Sequence, residues 1–332
     1  MTGLLVFAVV PAGRFDPAAV LAGEGLPAGL GCIVSGTLAA IVGVAPEGGL
    51  KGRERDVLLP WLLASQKVME RLLVAGPVLP VALGTIVESE DRVRHMLDRG
   101  AEALHAAFDA VGDRVEMNLS VNWSIETVVA RLMAGIAPDM RLAASGGDMA
   151  ARQALGALLE ASVAAERHKV RGRVVEHLQA AARDIAVTEP PDQAGVVSLA
   201  FLVDRGSDDA VVALLEALDA EFDGGLTFRL VGPLPPYGFA AVEVHLASLQ
   251  TVRDARAALG VDEGAGAEAV KAAYRKAARE VHPDLVLADA ASDGAPDRDD
   301  SGRFQAISNA YRVLEGENRP VSIRRQNSSS SG

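Results

Sequence analysis

The chain has 332 residues, enough for two or three domains at ~100–200 residues each. Its hydrophobic content of 49% excludes a wholly disordered chain, and its formal charge of -12 excludes a general nucleic-acid binder, which would carry a broad basic surface. A single cysteine, Cys32, excludes an intramolecular disulfide and a cysteine-rich zinc site.

Leu4–Val10 is an aliphatic run stopped by Pro11-Ala12-Gly13, and it predicts a buried first strand. The opening stretch lacks a basic leader region, and its apolar run is too short to span a membrane, so a soluble cytoplasmic protein is expected. Residues 23–31 read as a Gly/Pro-rich loop. Gly23-x-Gly25 imitates a dinucleotide fingerprint, but no helical pattern follows Pro27. Gly31–Ser35 and Thr37–Val44 predict a hairpin, with Cys32 as a small buried hydrophobe in it rather than a reactive thiol. Val57, Leu58, Trp61, Leu62, Val68, Leu72 and Leu73 recur at helical spacing through Arg55–Ala75, and Gly76-Pro77 ends that helix. Residues 78–83 are extended. Ser89–Val111 is a second helix, capped by Ser89. Arg114–Trp123 alternates Val115, Met117, Leu119, Val121 and Trp123, the pattern of a half-buried strand.

Ser124–Ile136 and Met149–Val187 predict Ala-rich helices, the second closed by Pro190-Pro191. Gly195–Asp204 is a buried strand, Ser207–Phe222 an amphipathic helix and Leu226–Val231 a further strand. Gly232–Phe239 is a proline-fixed turn carrying Tyr237 and Phe239. The fold class expected is α+β: two α+β, ferredoxin-like units with long helices, plus a small all-α module.

After His245 the chain changes character. Thr251–Leu259 is a short helix that leaves through Gly260-Val261. Residues 269–284 place Val270, Ala273, Tyr274, Ala277, Ala278 and Val281 on one helical face, with Lys271, Arg275, Lys276 and Arg279 largely off it. His282 precedes Pro283, which pushes it towards extended geometry, so the helix should stop at His282-Pro283-Asp284. Residues 285–302 begin with apolar Leu285-Val286-Leu287 and continue as a long acidic loop. Arg303–Leu314 is a helix with Phe304, Ile307, Ala310, Tyr311 and Leu314 on one side, and a disordered tail is expected from Pro320. The boundaries expected are 1–123, 124–247 and 251–317, with a tail over 318–332.

No signature of an enzyme is present: no phosphate loop, no Gly-x-Ser-x-Gly, no His-Glu-x-x-His. The spacings His95/His105 and His168/His177 are wrong for a metal on one helix face, and surface or capping roles are expected instead. No catalytic residue, metal site or cofactor is therefore assigned.

Two resemblances rest on these motifs. Residues 1–245 resemble the gas-vesicle F/L family through Gly76-Pro77-Val78-Leu79-Pro80-Val81 with Gly84-Thr85, Arg114-Val115-Glu116 before Trp123, residues 199–203, and residues 226–239. Leu234 and Gly238 stand where that family often has tryptophan and serine. The resemblance implies two α+β domains with a ferredoxin-like part, and partnership with the hydrophobic shell protein and other accessory proteins of gas vesicles. Residues 256–261, 270–276 and 282–284, with Phe304, Ile307, Ala310, Tyr311 and Leu314, resemble the J domain of DnaJ-type co-chaperones. That implies docking to a DnaK-type ATPase through His282, Pro283, Asp284, Lys271, Arg275, Lys276 and Arg279, over a core of Leu259, Tyr274, Phe304, Ile307, Tyr311 and Leu314. A cytoplasmic gas-vesicle assembly protein follows, with no nucleic-acid or membrane partner. The alternative is a minor structural component of the vesicle with the J domain as a passive interaction module.

Overall fold

The computed structural model describes residues 3–14, 16–23, 26–27, 29–50, 52–190, 192, 194–222, 224–281 and 298–326. The chain divides into two compact units. One is Met1–Ala110 with Ala240–Arg324; the other is Val111–Phe239 with the chain end from Arg325.

The first unit begins with β1 (Leu4–Pro11), whose residues Leu5–Val10 are all buried, as expected for a strand with sheet neighbours and covered faces. A short α1 (Pro17–Val20) leads to the hairpin β2 (Gly31–Ser35) and β3 (Leu38–Val44). Cys32 on β2 is half-buried rather than buried, and desolvation raises its thiol pKa, which disfavours the reactive thiolate. Then come α2 (Arg55–Ala75), the short strands β4 (Leu79–Pro80) and β5 (Ile86–Val87), and α3 (Glu90–Val111). Ser89 Oγ accepts the Arg92 N–H at 3.4 Å, a weak cap for α3. The sheet runs β2-β3-β1-β4, with β5 also paired to β1. Only the second half of α2 enters the core, through Val68, Met69, Leu72 and Leu73. Val57 and Leu62, expected on a buried face, are exposed together with Leu59 and Leu63. Spacing identifies a helix, but it does not say how far along its length a neighbour reaches.

The second unit is β6 (Arg114–Trp123), α4 (Ile125–Gly135), α5 (Pro138–Ser145), α6 (Met149–Gln179), β7 (Asp184–Thr188), β8 (Gly195–Asp204), α7 (Asp208–Glu221), β9 (Leu226–Leu234) and the short α8 (Tyr237–Ala240). Strand order is β7-β8-β6-β9, every neighbouring pair antiparallel. Counted from β6 this is the βαββαβ order of a ferredoxin-like unit. Ser124 caps α4 by accepting the Thr127 N–H at 3.2 Å, and Asp148 caps α6 by accepting from Ala150 and Ala151. The expected long helix 149–187 stops at Gln179. Its last residues form β7, because the alternation Ile185, Ala186, Val187 finds an edge on β8, where Ala186 is fully buried. The helix α5 was missed; Pro138 sits at its first turn, where the lost N–H costs nothing.

Two boundaries are corrected. β6 belongs to the second unit, not to a first domain ending at 123, because both of its edges are paired there, to β8 and β9. The chain then returns to the first unit with β10 (Ala241–Val244), α9 (Leu249–Leu259), α10 (Ala267–Val281), α11 (Arg298–Asn318) and β11 (Val321–Arg324). The helical module 251–317 falls within the first unit. The expected tail 318–332 begins instead with a strand, since Val321–Arg324 pairs antiparallel with Ala241–Val244. β10 also reaches the first sheet, where the Ala82 N–H bonds the Val242 carbonyl at 2.9 Å.

Candidate functional site

Helices α9, α10 and α11 enclose a core of Val252, Ala255, Leu259, Val270, Ala310 and Leu314. Tyr274, Ile307 and Tyr311 pack on it half-buried, and the Tyr274 and Tyr311 rings stack at 4.4 Å between centroids. Phe304, on α11 two turns before Tyr311, is also half-buried. Val252 and Ala255 are core residues that the motif reading left out. Ser248 caps α9 by accepting the Thr251 N–H at 3.0 Å. Gly260 closes the same helix in the left-handed conformation, φ 62° and ψ 39°, which explains the Leu-Gly-Val exit: a β-carbon there would be strained.

This core turns the other side of α10 outward. Lys271, Arg275, Lys276 and Arg279 are all exposed. Lys271, Arg275 and Arg279 stand four residues apart, a stripe about 12 Å long at ~1.5 Å per residue. Like charges at that spacing cost a helix about 0.2–0.5 kcal/mol per pair. Among the described residues none of the four has an ion-pair partner. Taken alone, these like charges therefore destabilise the helix slightly. His282, Pro283 and Asp284, with Leu285–Leu287, lie outside the described residues.

A second constellation sits in the second unit. Glu116 on β6 is buried, and its Oε2 accepts the Gly238 N–H at 2.6 Å. Two stretches 122 residues apart, Arg114-Val115-Glu116 and the proline-rich turn 232–239, are thereby joined by one buried hydrogen bond. The Gln326 N–H bonds the Gly238 carbonyl from the other side at 2.7 Å. Phe239 packs with Ala186, Ala200 and Leu202, so it is a core anchor, whereas Tyr237 remains part exposed. Burial pushes the Glu116 carboxyl up to about 7, against the lowering effects of the Gly238 N–H and Asn118. Burial, with the neighbouring Glu116 charge, pushes the Tyr237 hydroxyl up to about 12.

A carboxyl raised in the folded state stabilises the fold while it is protonated. That contribution is full below the ordinary value of 4.5 and is lost as pH rises through about 7. Urea unfolding should therefore show the protein less stable at pH 8 than at pH 5, by up to about 3 kcal/mol from this group. Glu116→Gln should remove that part of the slope. An unchanged slope would mean that Glu116 titrates normally.

Among the described residues no three His, Cys, Asp or Glu side chains are grouped to hold a metal ion, and no helix is long and apolar enough to cross a membrane.

The family model for gas vesicle synthesis protein GvpL/GvpF matches residues 3–241. The chain belongs to the GvpL/GvpF family. A second model, the DnaJ domain, matches residues 256–320, so this family member carries a J domain at the three-helix module. Gas vesicle protein L of Streptomyces sp. (strain CB03234) is 27% identical over 234 residues, covering 63% of this chain and 84% of the relative. Gas vesicle protein F of Dolichospermum flosaquae is 22% identical over 189 residues, covering 55% and 77%. Chaperone protein DnaJ of Synechococcus elongatus is 39% identical over 77 residues, 23% of this chain and 24% of that protein. The crystal structure of the gas vesicle protein GvpF from Anabaena sp. PCC7120 superposes with a TM-score of 0.58 at 18% identity. It covers 72% of this chain and 96% of that one. In this family member, the bond from Gly238 to Glu116 ties together two of the stretches that carry the likeness.

Proposed function

We propose that this GvpL/GvpF protein is a gas-vesicle assembly factor of the cytoplasm. It holds the apolar shell protein, alongside other gas vesicle accessory proteins, and brings a DnaK-type ATPase to it through its J domain. The observation that carries this reading is the presence, in one chain, of a GvpL/GvpF body and a J-type module whose exposed basic stripe has no ion-pair partner among the described residues. Shell subunits must be apolar on the gas side and would aggregate before assembly. A holder that also recruits an ATPase answers that problem. The exposed Val57, Leu59, Leu62 and Leu63 of α2 give the body apolar surface of the kind a shell subunit could use. On this reading the chain is not itself an enzyme and needs no cofactor. His282, Pro283 and Asp284 act on the partner's active site, as the J-domain likeness implies.

The experiment is a two-part reconstitution. The purified chain should retain shell protein in a pull-down and should raise steady-state ATP hydrolysis by a DnaK-type chaperone. His282→Gln should abolish the second effect and leave the first. Equal hydrolysis with parent and variant would refute recruitment. Stable retention in washed vesicles without any ATPase effect would support a structural role instead.

A further inference from the structure

The J module is tied to α3 by a buried ion pair. Arg92, in the first turn of α3, is 9% exposed, and Glu317, at the end of α11, is 6% exposed. Both Nη atoms of Arg92 reach the two Glu317 carboxylate oxygens, Nη2 at 2.7 Å. Nη2 also donates to the Ala247 carbonyl at 2.8 Å, and the Ala247 N–H donates back to Glu317 Oε1 at 3.2 Å. One turn along α3, His95 Nε2 lies 3.2 Å from the Glu317 carbonyl. The Leu249 N–H, at the start of α9, bonds Glu88 Oε2 at 3.1 Å. Both ends of the module, Ala247–Leu249 and Glu317, are thus held by residues 88–95.

The chain beyond the module adds a second tie. Val321 of β11 lies so close to α3 that a β-carbon on Gly100 would come within 2.5 Å of it. A glycine is required there for that approach. The His245 N–H bonds the Pro320 carbonyl at 2.8 Å, and His245 Nε2 lies 2.7 Å from Ser322 Oγ.

A module on a free tether has no use for this arrangement. Desolvating two charges is costly, and the attraction repays it only when geometry and further hydrogen bonds are good. Such a pair contributes little net stability, but it tolerates one arrangement and strongly disfavours others, since either charge left alone in the dry contact would be uncompensated. The Arg92 fork, with a third N–H on the Ala247 carbonyl, is that kind of constraint.

We propose that the Arg92–Glu317 pair makes the J module a fixed limb of the first unit, so that whatever docks on the basic stripe of α10 is held at one orientation to α3. The consequence for a recruited ATPase rests on the function proposed above; the fixed attachment does not. Pulsed electron spin resonance on the full chain reads the attachment directly. Nitroxides are placed at two exposed positions, Glu102→Cys on α3 and Ala272→Cys on α10, in a Cys32→Ser background. A single narrow distance distribution is expected. Removing both charges with Arg92→Ala/Glu317→Ala should at least double its width, while circular dichroism shows the helices intact. A broad distribution in the parent protein would overturn the proposal, whether or not the variant folds. A narrow distribution that the double variant leaves unchanged would overturn the role of the pair and leave the attachment to β11. Neither readout involves an ATPase, so their failure is separable from failure of the docking reading.

Discussion

Lys271→Glu combined with Arg275→Glu is expected to cut stimulation of a DnaK-type ATPase at least about tenfold without unfolding the chain. Both side chains are exposed, neither has an ion-pair partner among the described residues, and both lie off the face that packs on Leu259, Ala310 and Leu314. Reversing both charges keeps a like-charged pair at positions 271 and 275 but makes position 275 and Arg279 an opposite-charged pair, so the helix itself should be about as stable as before. The loss appears at the partner. Charge-assisted contacts are worth about 1.5–3 kcal/mol each when formed, and a tenfold change is about 1.4 kcal/mol. Rim charges act chiefly on association rate, so the parent's stimulation should also fall with added salt and the variant's should not. Titrating the chain against the ATPase in single-turnover hydrolysis, at low and physiological salt, gives both numbers. Parent-like stimulation by the variant would remove the stripe from the mechanism. His282→Gln would then need to be explained by the turn alone.

Phe201→Ala should destabilise the second unit by about 3–5 kcal/mol. Phe201 is the largest fully buried side chain among the described residues and sits on β8, one of the two central strands of β7-β8-β6-β9. The face with Ala200 and Leu202 packs against Ala186 and Phe239; Leu199, Phe201 and Val203 alternate onto the other face. A deletion at a central strand leaves a cavity that two neighbouring strands prevent from collapsing. Denaturant unfolding followed by tryptophan fluorescence in a Trp61→Phe background, which leaves Trp123 on β6 of the same sheet, reports this unit. A cost under about 1 kcal/mol would show that the sheet repacks around the loss. The three-helix module lies in the other unit, so J-dependent ATPase stimulation measured below the transition should survive.

The sequence was most legible where a pattern is local. The strand Arg114–Trp123 and the helix Arg55–Ala75 have the same bounds in the structure as in the periodicity, because alternation and three-four spacing are properties of the segment itself. The basic stripe and the opposite face of Val270 and Tyr274 follow from spacing in the same way. The strand β7 was not legible: Asp184–Thr188 continues an Ala-rich helical run, and only the free edge of β8 makes it extended. The exposed turn of α2 was misread for a related reason, since an apolar stripe requires a neighbour that the sequence cannot place.

The side chains in the two constellations divide along the same line. Lys271, Arg275, Lys276 and Arg279 could be named from one helix. Arg92 and Glu317 could not, being 225 residues apart and each unremarkable in its own helix turn. Glu116 and Gly238 were both within quoted motifs, but nothing local says that one accepts a hydrogen bond from the other. By itself the sequence determined the α+β class, the family likeness and the J module, all of which depend on short-range patterns. Tertiary structure decided that β6 belongs to the second sheet, that Val321–Arg324 is a strand rather than a tail, and that the J module is pinned to α3. Each of those depends on a hydrogen-bonding edge or a buried charge finding its partner across a long stretch of chain, and such pairing is fixed only when the whole unit closes.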